Sequence, residues 1–504
     1  MKIISLSGAR KNIQLLVILS VFILGNIIGI NSTSNYQADE SYYIYSAMRM
    51  NETGNWLVPY YEDNVARFQK PILFYWFVGL VYKIAGFGIA QARLISLFIA
   101  LLNLILVYKF TRLLFNNAKV SLYSVLILSS NFMYLIYSKV AATDIALFFF
   151  MNLAVYFLYK GYKHGSRNNL ISGYLFSGLA VATKGPLGLL IPFSAIVIFL
   201  FYNEGLQGVK KVISFPGILL FLISALFWPL LMYIKFGSAF TGHFINAEVK
   251  SRVAYSIVTQ LKNLIYYIHT FLRYAHIWII LLGIRLFSRK RSWEITLNKE
   301  KGSLLLIWIL SVLLLFSLFI TMHRSRYILP LFFPLSVLTA VYLQDISSRA
   351  IKIISLSAFL LFVTVNGFLP TILKPEAIKP LCRKIKDNSR KIIAVGVPQR
   401  SRVWIRLFAG RDADHVMDDP DGLIRIRDEK LYLIIEKDLW IQTSPDLKIK
   451  GHIIGESYYN FKKKFRDKYF WHSFIKGIKK GMLKKEMRSL INKHRLWFLL
   501  VEIG

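Results

Sequence analysis

Asp39 and Glu40 stand together just after the first apolar stretch of this 504-residue chain. About thirty residues on comes Arg67-Phe68-Gln69-Lys70-Pro71, running into Tyr75-Trp76. Carboxylates at a membrane surface are expensive to hold without a task. The pair is therefore a candidate for general-base work, or for positioning an acceptor in a site that excludes water. Neighbours on a helix point about 100° apart, so one of the two is expected to reach the substrate. Asp39 is the choice, with Glu40 beside it. Asp144, after the polar turn Ser138-Lys139, is the second candidate acid. Both have a structural alternative, because Asp is a good helix cap and acids suit a first turn.

The cations have their own pattern. Lys70-Pro71 and Lys184-Gly185-Pro186 each place an ammonium before a helix breaker. Each is expected at the entry of a helix, whose free N–H groups and dipole also favour an anion. The alternative is a lysine that snorkels to the interface. With Arg67, Arg252 and Arg324/Arg326 next to Tyr327, these groups suit a diphosphate or phosphodiester. His243, His269, His276 and His323 show no ligand-like spacing. The chain has no phosphate-cradling glycine loop, nucleophile elbow or nucleotide fingerprint. An enzyme drawing on a soluble nucleotide-sugar should carry a nucleotide domain, and none is legible.

The elements that must position these residues are apolar helices. The chain is 55% hydrophobic with a mean hydropathy of +0.47, and many runs reach the roughly 17–25 residues that cross a bilayer. The fold class expected is a polytopic α-helical membrane protein with about 11–13 transmembrane helices and a small C-terminal soluble α/β domain. Candidate spans are 13–30, 92–113, 119–137, 145–160, 170–183, 186–202, 212–235, 263–287, 303–322, 327–343 and 352–370. The stretch 71–86 reads as an interfacial helix rather than a twelfth span. Lys2, Arg10 and Lys11 precede the first span with no small-x-small cleavage site after it, which predicts an uncleaved signal-anchor. With the N-terminus inside, Arg112/Lys119, Lys160/Lys163/Arg167, Lys210/Lys211, Arg289–Arg291 and Arg349/Lys352 all fall on the inner face. Every candidate site residue then falls on the outer face.

The formal net charge of +36 suits topology and anionic headgroups better than nucleic acid, because Lys and Arg cluster in short loops and in the tail. Such a field also attracts a phosphorylated lipid. The lone Cys382 excludes an intramolecular disulfide and a cysteine metal site. After about residue 371 the spans stop. Strands are expected at Ile392–Val397, Leu431–Glu436 and Leu496–Glu502, with helix at Phe474–Asn492. The domains expected are 1–371, transmembrane, whose 31–91 is the first periplasmic loop, and 372–504, soluble, basic and periplasmic. The basic runs Lys462–Lys464 and Lys476–Lys485 suit anionic headgroups or plain solvent.

The order of motifs resembles the membrane glycosyltransferases of the GT-C fold. It runs Asp39-Glu40, Arg-Phe-x-Lys-Pro-x-x-x-Tyr-Trp (Arg67 to Trp76), Ala92-Arg93-Leu94, Ala142-Thr143-Asp144, Ala182-Thr183-Lys184-Gly185-Pro186 and Tyr327-Ile328-Leu329-Pro330. The lipid A aminoarabinose transferases and protein O-mannosyltransferases are the nearest in kind, over about 1–345. The resemblance implies transfer of a sugar from a polyprenyl-phosphate donor to lipid A, another surface glycan or a protein, at the outer face of a bacterial inner membrane. It implies that Asp39 and Asp144 sit at the catalytic cavity. Lys70, Lys184 and Arg252 would hold the lipid-linked phosphate, and Tyr327 would line the pocket. Relatives often carry Glu where this chain has Gln69, and His where it has Ala247. Those are the family's metal positions, so no metal ligand is assigned. Tyr42 replaces an often basic residue. The rival reading is a transporter or flippase, which predicts paired broken helices and ionisable groups near the bilayer midplane.

Overall fold

The computed structural model describes all residues except 1–5, 33–38, 62–64, 245, 247–255, 288–298, 322, 369–377, 388, 398, 418–429, 444–450, 460–495 and 504. The chain divides into two compact units. One comprises Met1–Ile30 and Tyr43–Val365, the other Asn31–Tyr42 and Asn366–Gly504.

Among the described residues the first unit is built of helices and their connecting loops. Helix α1 (Leu6–Ile27) is followed by α2 (Glu40–Thr53) and α3 (Leu73–Ala85). The thirteen residues of α3 reach about 20 Å at 1.5 Å per residue, short of a bilayer's roughly 30 Å hydrocarbon core. Then come α4 (Ile89–Phe115), α5 (Ala118–Ser129), α6 (Phe132–Ser138), α7 (Thr143–His164), α8 (Arg167–Lys184), α9 (Leu187–Lys210), α10 (Phe215–Phe236), α11 (Ser238–His243), α12 (Ile257–Phe287) and α13 (Lys299–Phe319). A 3-10 turn, Ser325–Leu331, leads into α14 (Phe332–Tyr342) and α15 (Ser348–Val363). Among the described residues seven helices are long and apolar enough to cross a membrane, or nine if each bent pair is one span. One such pair, α5 with α6, is bent by 68°. In their described residues all eleven segments expected to span are largely helical. The two outside the nine are α1, whose described apolar part is Asn12–Ile27, and the more polar α8.

Lipid offers little hydrophobic drive between helices, so close approach and polar contacts hold them. A Cβ on Gly173 of α8 would lie 2.7 Å from the Leu158 side chain and 3.0 Å from its backbone nitrogen on α7. Asn152 Nδ2 of α7 donates to Asn103 Oδ1 of α4 at 3.1 Å, inside a fully buried seam. The end of α1 is held by two buried cations. Lys139 Nζ donates to the Ile28 carbonyl at 2.6 Å, and Arg93 Nη1 to the Ile30 carbonyl at 2.8 Å. These carbonyls lack helical partners at a C-terminus, where positive charge is favoured.

The second unit carries a five-stranded sheet in the order β2-β1-β3-β5-β4. The strands are β1 (Lys391–Val395), β2 (His415–Met417), β3 (Leu431–Glu436), β4 (Gly451–Tyr459) and β5 (Leu496–Ile503). β1 pairs parallel with both β2 and β3, and β5 lies antiparallel between β3 and β4. Ile393, Val395, Leu433, Ile435, Leu499 and Val501 form its core with Trp440. The near-continuous apolar runs of β1, β3 and β5 mark strands buried on both faces, and those are the three expected from sequence. The short β2 and the polar β4 carry no such run. The stretch 474–492 and the basic runs at 462–464 and 476–485 lie outside the described residues.

Candidate active site

Asp144 is the second residue of α7, where the helix dipole favours a carboxylate. Lys184 is the last residue of α8, where the dipole favours a cation. Gly185 then turns the chain at φ 93°, a backbone region that favours glycine, and Pro186 leads into α9. Lys184 thus closes one helix rather than opening the next. Lys70 does stand at a helix entry, ahead of α3.

The two helix ends meet. Lys184 Nζ binds Asp144 Oδ1, with the side chains 6% and 3% exposed. Arg326, on the 3-10 turn, brings Nη1 to 3.8 Å from Asp144 Oδ2. That oxygen is buried and makes no hydrogen bond. Lys184 also lies over the Tyr327 ring at 5.4 Å, within cation–π range. Tyr327 in turn stacks on Phe316 at 4.9 Å. Two cations facing one carboxylate leave the cluster net positive.

The loop between α2 and α3 is pinned against α3 and α10 by polar groups. Trp76 Nε1 donates to the Trp56 carbonyl at 2.7 Å, Trp228 Nε1 to the Leu57 carbonyl at 3.0 Å, and a Tyr60–Ala66 bridge closes the loop. Phe68 packs edge-on against Phe236 and Phe240. Arg67 and Lys70 beside it are buried, each 8% exposed. Arg67 Nε donates to Tyr75 Oη at 2.9 Å, and its guanidinium lies 5.9 Å from the Tyr43 ring centroid. Lys70 Nζ donates to the Gln69 carbonyl at 2.9 Å. Tyr43 completes the chain of contacts, its hydroxyl 3.3 Å from Thr143 Oγ1, next to Asp144.

The structure thus groups Asp144, Lys184 and Tyr327, and links Arg67 through Tyr43 to the start of α7. Asp39 precedes α2 at the N-cap position and Glu40 opens the helix. Both belong to the second unit by contact grouping. Arg252 and Ala247 lie outside the described residues. Sequence reasoning placed Arg326 only as a phosphate contact and missed its pairing with Asp144. Tyr75 and Thr143 stood inside the quoted motifs without a role of their own, and Tyr43 carries no signal beyond its polarity.

Among the described residues a divalent metal finds a poor donor set. Gln69 offers a neutral amide oxygen, Oε1, buried without a hydrogen bond, beside the positive Lys70. Among the described residues no group of three His, Cys, Asp or Glu could hold an ion.

Residues 69–233 match the family described as dolichyl-phosphate-mannose-protein mannosyltransferase. A Yersinia pestis undecaprenyl phosphate-alpha-4-amino-4-deoxy-L-arabinose arabinosyl transferase is 27% identical over 418 residues, covering 81% of this chain and 71% of the relative. A protein of Aquifex aeolicus is 26% identical over 348 residues, covering 68% of this chain and 66% of its own length. The crystal structure of ArnT from Cupriavidus metallidurans bound to undecaprenyl phosphate superposes with a TM-score of 0.71, at 16% identity, over 88% of this chain and 95% of that one. This chain is a membrane glycosyltransferase of the GT-C fold. The family and the named relatives give no support to the transporter alternative. The transferase is a multi-pass membrane protein, and its apolar helices and small C-terminal sheet make up the fold expected from sequence.

Proposed function

We propose that the transferase moves a sugar from a polyprenyl-phosphate donor onto lipid A, another surface glycan or a protein, at the periplasmic face of a bacterial inner membrane. The observation that carries this reading is the net-positive cluster of Asp144 and Lys184, both with buried side chains, and the partly exposed Arg326, on the aromatic wall of Tyr327. The sugar C1–O bond to phosphate breaks, the phosphate leaves with the electron pair, and the acceptor oxygen bonds to C1. Stabilising the departing phosphate needs preorganised cations in a dry site. Lys184 and Arg326 are held ready, with Asp144 fixing their positions. Lys70 and Arg67 are the further buried cations for the phosphate, and Arg252 is kept from the family pattern. A hydroxyl acceptor needs a base, the role read for Asp39 with Glu40 beside it. A phosphate acceptor is already ionised and needs none.

The domain reading follows the composition, with 1–371 as the transmembrane catalytic domain and 372–504 as a basic soluble domain on the periplasmic side. The positive-inside pattern of the loops supports that sidedness.

The test is mass spectrometry of lipid A and surface glycans from cells lacking the gene, complemented with wild type or Asp39→Asn. A sugar-sized mass restored by wild type alone names the acceptor and supports Asp39. If Asp39→Asn, expressed and inserted normally, restores transfer at the wild-type rate, the assignment of Asp39 is wrong.

A further inference from the structure

Three helices of the first unit enclose a second concave site. α1 and α15 pack tightly where Gly25 faces Phe359; a Cβ there would lie 2.4 Å from the ring. Phe22 and Phe359 also meet, with centroids 6.2 Å apart. Toward their N-terminal ends a cavity of about 760 Å³ lies between α1, α15 and α5. Its walls are apolar, with Val17, Val21 and Leu356 among the exposed side chains. Its polar groups include Gln14, Lys119 and Lys352. Lys119 and Lys352 are exposed near the starts of α5 and α15, and Lys119 Nζ lies over the Tyr123 ring at 5.5 Å. Tyr123 Oη is fixed in turn, 2.9 Å from the Ile346 carbonyl and 2.9 Å from Ser348 Oγ. Ser355, whose hydroxyl makes no hydrogen bond, lines the same wall. Lys119 opens α5, and Asp144 follows the far end of the α5–α6 pair, so the basic mouth and the active site lie at opposite ends of that span.

We propose that this groove seats one acidic glycerophospholipid, its phosphate between Lys119 and Lys352 and its acyl chain along Val17, Val21 and Leu356. The charge argues for that occupant. Two ammonium groups at one mouth of an apolar slot match an anionic headgroup carrying a hydrocarbon tail. A zwitterionic lipid brings its own cation to the same place and gains less. In this role the lipid fills the slot between α1 and the α5–α15 pair, which Tyr123 and Ser348 hold together at this end.

The experiment is native mass spectrometry of the purified, delipidated full chain titrated with phosphatidylglycerol, phosphatidylcholine or undecaprenyl phosphate. One phosphatidylglycerol is expected to be retained in preference to either of the others. Lys119→Gln/Lys352→Gln is expected to weaken that retention by about 30-fold, from roughly one surface-charge contact per lysine. Val17→Trp, which fills the slot and keeps both lysines, is expected to abolish it. This second variant decides the matter if the first does not fold. Retention unchanged in Val17→Trp, or in a folded Lys119→Gln/Lys352→Gln, overturns the proposal. So does equal binding of phosphatidylcholine, or undecaprenyl phosphate displacing phosphatidylglycerol, which would assign the groove to the polyprenyl lipid.

Discussion

Asp144 is held between two cations, and that decides what removing each partner does. Lys184→Met leaves a carboxylate in a dry site with only Arg326 at 3.8 Å. The loss is expected on the order of 3 kcal/mol of stability, with transfer down by about 10² or more. Adding Asp144→Asn to Lys184→Met should recover most of the melting temperature in detergent but none of the transfer. If the double variant stays as unstable as the single one, the pair is not what holds this site. Lys139 makes a pH prediction. Burial, with Arg93 nearby as the second cause, lowers its pKa from 10.5 to about 8. Between those values the unfolded chain binds more protons than the folded one, so stability rises with pH across that window. A melting series from pH 8 to 10 should show the rise in wild type and lose it in Lys139→Met. At this scale the sequence displayed the motif residues, since charges in an apolar chain stand out. Arg326's partner was not legible, because 182 positions of chain separate it from Asp144 and only packing brings them together.

At the scale of elements, the hairpin of α8 and α9 places Lys184. Gly188 sits against the backbone of α8, where an added Cβ would come within 2.4 Å of Ala180 C and Val181 N. Backbone cannot move aside as a side-chain tip can, so Gly188→Ala must part the two helices next to Lys184. A fall in transfer of tenfold or more is expected, by analogy with small misplacements in other active sites, where the loss is ~10²-fold. Gly165→Ala, at a left-handed cap with open space around it, should disturb folding modestly and transfer little. Equal transfer losses in the two variants would remove the positional argument. The spans were legible because each is a long apolar run. The bend between α5 and α6 was not, because Ser129-Ser130-Asn131 looks like any polar interruption until Asn131 Oδ1 is seen accepting from the Tyr134 N–H at the start of α6.

At the scale of the molecule, two units share one chain, and Cys382 reports on the second. It is buried, and burial pushes its thiol up to about 12. At pH 8 its alkylation in the native full chain should run roughly a thousandfold slower than in denaturant, from thiolate fraction alone. Fast labelling of native protein would show that this unit opens readily. Composition and periodicity by themselves determined that the chain crosses a membrane many times. They determined where most spans lie and that a sheet-bearing segment follows, because hydrocarbon admits little but apolar helix and buried strands need continuous apolar runs. Only the tertiary structure decided that Lys184 ends its helix against Asp144, that Arg326 shares that carboxylate, and that two cations cap α1. Those pairings join residues far apart in sequence, and the hydropathy that places a helix in the bilayer is blind to which neighbour its few polar groups will meet.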